Sequence, residues 1–85
     1  MFSKEQFGQR VQELRGLCGE TQKVLGEAIG MSANNVSEME HGKKTTTSEK
    51  IALLCLHYNV SADYLLGLSD QPRPESGWWT DKKED

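Results

Sequence analysis

Asn34 and Glu38, four residues apart, carry the most informative chemistry in this chain. An asparagine amide donates and accepts in a geometry that matches the edge of adenine, and a glutamate carboxylate accepts from the N4 amino group of cytosine. Four apart, the two share one face of a helix. Ala33 and Ser37 stand beside them, one offering only a methyl contact to thymine, the other a hydroxyl. Asn35 is read as pointing towards the nucleic-acid backbone or solvent. Val36 and Met39, three apart, face inward together. Residues 33–39 thus read as a short helix whose outward surface is small and polar, a surface that suits the major groove of double-stranded DNA.

Such a helix needs a fixed mount. Ser32 is a good N-cap for it. Just before, Gly30 can adopt the positive φ that stops one helix and turns the chain. Leu25 and Ile29 share one face of the preceding helix, and Gly26 on that side leaves room for another helix to approach closely. Thr21 caps this helix, so residues 22–39 read as two helices joined by a tight turn. Ser3 caps a first helix, and Gln6 three residues later completes a capping-box pattern. Its stripe is Phe7, Val11 and Leu14, and it is predicted to end before Gly16. His41-Gly42 closes the third helix, with Gly42 in a left-handed position. A polar loop over 43–47 leads to a fourth helix from about Ser48 to Tyr58, with Ile51, Leu54, Cys55 and Tyr58 at helical spacing. Ser61 caps a short fifth helix carrying Tyr64, Leu65 and Leu66. After Asp70, QPRPESGWWTDKKED has prolines, a glycine and no helical period. Residues 1–70 are therefore assigned to one domain and 71–85 to a tail. There is no strand-like alternation and no internal repeat.

These pieces resemble the Cro/cI-type (XRE-like) helix-turn-helix family of phage and bacterial transcriptional regulators, over roughly residues 7 to 70. The resemblance rests on R-V-x-x-L-R (Arg10 to Arg15), T-Q (Thr21, Gln22), L-G-x-x-I-G (Leu25 to Gly30), S-x-x-x-V (Ser32 to Val36), M-E-H-G-K (Met39 to Lys43) and V-S-A-D-Y-L-L-G (Val60 to Gly67). It implies an all-α, compact five-helix lambda-repressor-like DNA-binding domain. It also implies a sequence-specific regulator, repressor-like, that reads an operator with its third helix as a homodimer.

Ala33, Asn34, Ser37 and Glu38 match the family's base-reading positions. Glu38 departs from the commoner glutamine or arginine, and its alternative reading is a solvated charge that repels phosphates. Gln22 matches a residue that bonds a phosphate and braces the recognition helix; otherwise it is a plain helix-starting glutamine. Lys43, Lys44 and the hydroxyls of Thr45, Thr46 and Thr47 would track the DNA backbone, with Arg10, Thr21 and Lys23 on the same rim, unless residues 43–47 are simply an exposed loop. His41 would cap its helix or donate to a phosphate. Arg15 and Glu40 match a buried ion pair that links the first helix to the third. Independently, an arginine at the end of an apolar stripe is poorly placed without a partner.

Eighty-five residues make one small domain. Hydrophobic residues at 35% and charged residues at 27% fit a globular chain, and no apolar run nears the roughly 20 residues of a membrane span. The first residues are too polar for a secretory signal. Cys18 and Cys55 are therefore read as reduced thiols in a cytoplasmic protein, Cys55 as a core residue. His41 and His57 complete no usual metal-ligand spacing. No cofactor, small-molecule ligand or catalytic constellation is implied, so an enzyme is not expected. The net charge of −3 argues mildly against a nucleic-acid partner. At physiological salt fields fade over about 8 Å, however, so a local basic rim matters more than the sum. The charge keeps open an alternative on the same fold: a protein-interaction module of antitoxin or antirepressor type, with weak or no DNA binding. Leu53 and Leu56 lie outside the core stripe of the fourth helix, Val24 is an unusual apolar residue on the second, and the tail carries Trp78 and Trp79. These suggest a tail that covers apolar helix surface, its own or a partner's, and helps form a homodimer. The alternative is a tail that packs on nothing.

Overall fold

The structure, a computed structural model, describes residues 2–73. The expectations for Trp78 and Trp79 fall outside the described residues. Five helices follow one another: α1 (Lys4–Leu17), α2 (Gln22–Ile29), α3 (Ala33–Glu40), α4 (Ser48–Tyr58) and α5 (Ala62–Leu66). The described residues contain no strand. None of the helices is long and apolar enough to cross a membrane.

Each helix opens the same way. The hydroxyls of Ser3, Thr21, Ser32, Thr47 and Ser61 accept from the backbone N–H three residues on. A cap of this kind typically stabilises by about 1 kcal/mol over alanine. The first helix runs two residues further than its glycines suggested, through Gly16 to Leu17. Gly16 keeps a negative φ, and the left-handed residue is Gly19, at φ +69°.

The core is built from all five helices. Phe7 and Val11, Leu25 and Ile29, Val36 and Met39, Leu54 and Tyr58, Val60 and Leu65 are buried together. Helix α3 packs on both α1 and α2, α2 also packs on α4, and α5 lies against α1 and α4. Val36 and Met39 are fully buried, so α3 is held through its inner face from two directions.

Two glycines set the closest approaches. A Cβ at Gly26 would lie 2.2 Å from the Met31 carbonyl oxygen. The neighbour that excludes a side chain there is the turn itself, which bends at Gly30 with φ +78°, and not another helix as expected. Close helix contact occurs instead at Gly8, where a Cβ would meet the carbonyl oxygens of Met39 at 2.2 Å and Glu40 at 2.6 Å.

One surface assignment is also corrected. Leu53 is partly buried against the core, because α4 is packed between α2 and α5 and its covered arc is wider than a single stripe. Leu56 remains 79% exposed and Val24 47%.

Candidate nucleic-acid interface

The outer face of α3 starts at its capped end, where Ser32 Oγ accepts from Asn35 N at 3.1 Å. Ala33, Asn34 and Asn35 are exposed, while Ser37 and Glu38 are half-buried. The next residues inward, Val36, Met39 and Glu40, are buried. A helix anchored so firmly on one side presents the other at a fixed angle. The Asn34 amide is exposed and has no partner among the described residues, so its donor and acceptor are both free to read an external edge.

At the far end of α3, His41 Nδ1 donates to the Ser37 carbonyl at 2.7 Å. That bond occupies one ring nitrogen in capping its own helix, and Nε2 of the exposed ring has no partner among the described residues. The following loop carries two lysines in different states. Lys43 is exposed with no ion-pair partner among the described residues, whereas Lys44 Nζ lies 3.0 Å from Glu38 Oε1. Thr45 is exposed, and Thr47 is occupied as the α4 cap. At the start of α2, Lys23 is exposed, and Thr21 Oγ1 accepts from Val24 N at 3.1 Å.

Behind this face runs a polar brace. Arg15 grips Glu40 with two bonds, Nε to Oε2 at 2.6 Å and Nη2 to Oε1 at 3.0 Å. The Glu40 side chain is 0% exposed. Its Oε1 also accepts from Gln22 Nε2 at 3.1 Å. Gln22, expected at a phosphate, is therefore committed on one side to the interior, and it ties the start of α2 to the end of α3. The hydrogen bond that Arg15 donates to Glu40 raises the Arg15 pKa above its ordinary value, so the guanidinium stays charged. Arg15 Nη1 reaches further, to the Glu20 carbonyl at 2.8 Å.

Glu20, His57 and Tyr58 extend the brace into α4. The Glu20 carboxylate accepts from Tyr58 Oη at 2.7 Å and from His57 Nε2 at 2.6 Å. Burial, and then the bond to Glu20, push the Tyr58 hydroxyl pKa well up. Burial alone raises the Cys55 thiol. The Glu20 contacts carry no signal in the sequence, because Glu20 and its partners are 37 and 38 residues apart and share no spacing. Lys50 was missed too: its Nζ donates to the Gly30 carbonyl at 3.4 Å, bracing the turn from α4.

Arg10 does not stand with the loop lysines. Its Nη1 donates to the carbonyls of Tyr64 and Ser69, its guanidinium lies 4.2 Å above the Tyr64 ring, and Nη2 meets Asp70 at 3.2 Å. A guanidinium with two carbonyls, an aromatic face and a carboxylate has little left for a phosphate. Its expected place on the basic rim is corrected: Arg10 fastens α1 to α5 and to the chain that follows.

The family described as "Helix-turn-helix domain" matches residues 6–74. A helix-turn-helix transcriptional regulator of Bacillus subtilis, YobD, itself uncharacterised, is 36% identical over 69 residues, which are 81% of this chain and 62% of that relative. The transcriptional regulator ImmR, also of Bacillus subtilis, is 38% identical over 61 residues, 72% of this chain and 48% of that relative. The chain thus spans 62% and 48% of the length of these two curated relatives. Among solved structures, the P22 c2 repressor in complex with a synthetic operator superposes with a TM-score of 0.68 at 28% identity, over 71% of this chain and 91% of that one.

Proposed function

The chain belongs to the helix-turn-helix domain family, and we propose that it is a sequence-specific DNA-binding transcriptional regulator, repressor-like, that lays α3 in the major groove and acts as a homodimer. The observation that carries this reading is the mounting of α3. Its inner face is buried on α1 and α2, its start is capped, its end is tied to Arg15 and Gln22 through Glu40, and the exposed outer face holds an Asn34 amide without a partner. The relatives named as transcriptional regulators, and a neighbour solved on its operator, support it. In this reading Ala33, Asn34, Ser37 and Glu38 meet base edges. Lys43, Thr45, Lys23 and Nε2 of His41 meet phosphates, together with the hydroxyl of Thr21 and the N–H groups at the start of α2. One short helix reads only a few base pairs, so two half-sites about one helical turn apart supply the specificity. Such a protein works in the cytoplasm, where its operator is.

The sparse positive charge predicts weak nonspecific binding and a larger share for base contacts. The Lys44–Glu38 pair favours the second reading, a protein-interaction module, because it takes one of the few cations out of play. Selection of the purified protein against a random duplex library at about physiological salt separates the two. An enriched inverted repeat, lost in Asn34→Ala, is the expected result. A folded protein that enriches nothing points to the protein-interaction module.

A further inference from the structure

We infer that Lys44 is a positioning residue for Glu38, and that the pair reads one base pair as a unit whose target is the exocyclic amino group of cytosine. The inference rests on the DNA-reading function proposed above and names a specificity-determining contact within it.

Glu38 sits where a bare carboxylate is costly. Duplex DNA carries one negative charge per about 1.7 Å of axis, and a charge in the groove lies within a Debye length of several phosphates. Lys44 answers that charge directly, with its ammonium 3.0 Å from Oε1. The pair does not come from helical spacing, since the two residues are six apart with the end of α3 between them. The chain is turned back by Gly42, at φ +74°, and Lys43 N donates to the Glu38 carbonyl at 3.0 Å. The loop is thereby fastened beside the side chain that it neutralises.

The exposure of the two partners argues against a stabilising role for the pair. The Lys44 side chain is 64% exposed and that of Glu38 31%. Pairs so open to solvent contribute little to stability. Within the pair, Glu38 Oε1 is shielded from solvent and meets the ammonium as an ion pair without hydrogen-bond geometry. That leaves Oε2, which has no partner among the described residues, as the one oxygen able to accept an outside donor. An acceptor-only group in the major groove is repelled by guanine O6 and N7 and by thymine O4. Adenine offers an amino donor but sets the N7 lone pair beside it. Cytosine offers the amino group without that neighbour, so it is the base the pair selects.

The test compares the full chain with Lys44→Met, Lys44→Arg and Lys43→Met in the same duplex selection, followed by affinities across a salt series and circular dichroism to verify folding. The wild type is expected to enrich a repeat with cytosine preferred at one position in each half-site. Lys44→Met flattens that position by about tenfold, the scale of a single base contact, while the other positions and the salt slope are kept. Lys44→Arg restores the preference. Lys43→Met lowers affinity for every sequence and reduces the salt slope by about one. A uniform loss in Lys44→Met, with the slope reduced by about one and the cytosine preference intact, overturns the inference and makes Lys44 a phosphate contact. A wild-type motif without cytosine overturns it too. No motif from the wild type overturns the DNA-reading function, and this inference with it.

Discussion

Two arginines five residues apart on α1 are buried to nearly the same degree, with side chains 13% exposed for Arg10 and 17% for Arg15. They do different things because they meet different partners. Arg15 faces a carboxylate that is 0% exposed and has no other cation among the described residues to answer it, only the amide of Gln22. Arg10 faces two backbone carbonyls, an aromatic ring and a carboxylate that is 100% exposed. The first clamp joins α1 to α3, on the side of the proposed interface. The second joins α1 to α5 and steers the chain beyond it. How deeply a guanidinium is buried therefore says little about what it holds; what would be stranded by its removal says much more.

The sharpest way to break this comparison is to remove each arginine in turn. Arg15→Met leaves the Glu40 carboxylate buried without a counter-charge, and losses of about 3–5 kcal/mol are typical when one partner of a buried pair is deleted. In a domain this small that is a large share of the total stability. Urea denaturation followed by circular dichroism should show the midpoint falling steeply. If Arg15→Met unfolds at nearly the wild-type midpoint, the buried pair is not what mounts α3.

The same contrast explains what was legible in the sequence. The Arg15–Glu40 pair could be anticipated because both residues stand in recognisable segments and one side chain needs the other. The helices were legible because four Ser or Thr caps and runs of 3.6-residue period mark them, and Gly30 marks the turn; the fourth helix showed itself by its period alone, its cap Thr47 being one of three threonines in a row. Arg10 was not legible, since its chief partners are main-chain carbonyls, which every residue carries and no pattern advertises. Glu20 was hidden for a related reason: its partners His57 and Tyr58 are brought to it only by packing of α4. Leu53 was misjudged because a single-face stripe cannot foresee that α4 is covered from two sides. At Gly26 the need for a missing side chain was legible, but the neighbour that imposes it was not.

A smaller loss should follow at the second clamp. Arg10→Met removes charge-assisted hydrogen bonds to two carbonyls, for a total of about 1.5–3 kcal/mol, less than at Arg15 because it strands no buried charge. Asp70→Asn should leave the urea midpoint unchanged, because a fully exposed partner is held in water with or without the arginine. Measured side by side, the two substitutions show whether the carbonyls or the carboxylate carry the clamp. A drop in Asp70→Asn equal to that in Arg10→Met would reverse the assignment.

The smallest effect lies at the edge of the Arg15 clamp and is readable through pH. Tyr58 donates to Glu20, whose own carbonyl accepts from Arg15. Tyr58→Phe keeps the ring and loses that bond, at a cost of about 1 kcal/mol near neutral pH. In the folded protein the hydroxyl pKa is raised, first by burial and then by the neighbouring carboxylate. The unfolded chain ionises this tyrosine near pH 10, so above that point it binds fewer protons than the native state and stability falls as pH rises. The contribution from Tyr58 is fully present below about pH 10 and is lost on the way up to its folded value, at up to about 1.4 kcal/mol per pH unit. The Cys55 thiol, also raised by burial, acts in the same direction and from a lower pH, but it does so equally in wild type and variant. The difference between them therefore isolates the tyrosine. Urea midpoints taken from pH 8 to 11.5 should show the advantage of the wild type over Tyr58→Phe shrinking above pH 10 and then changing sign. An advantage that stays constant across that range would mean that Tyr58 ionises in the folded protein as readily as in the unfolded one, and that the brace ends at Glu20.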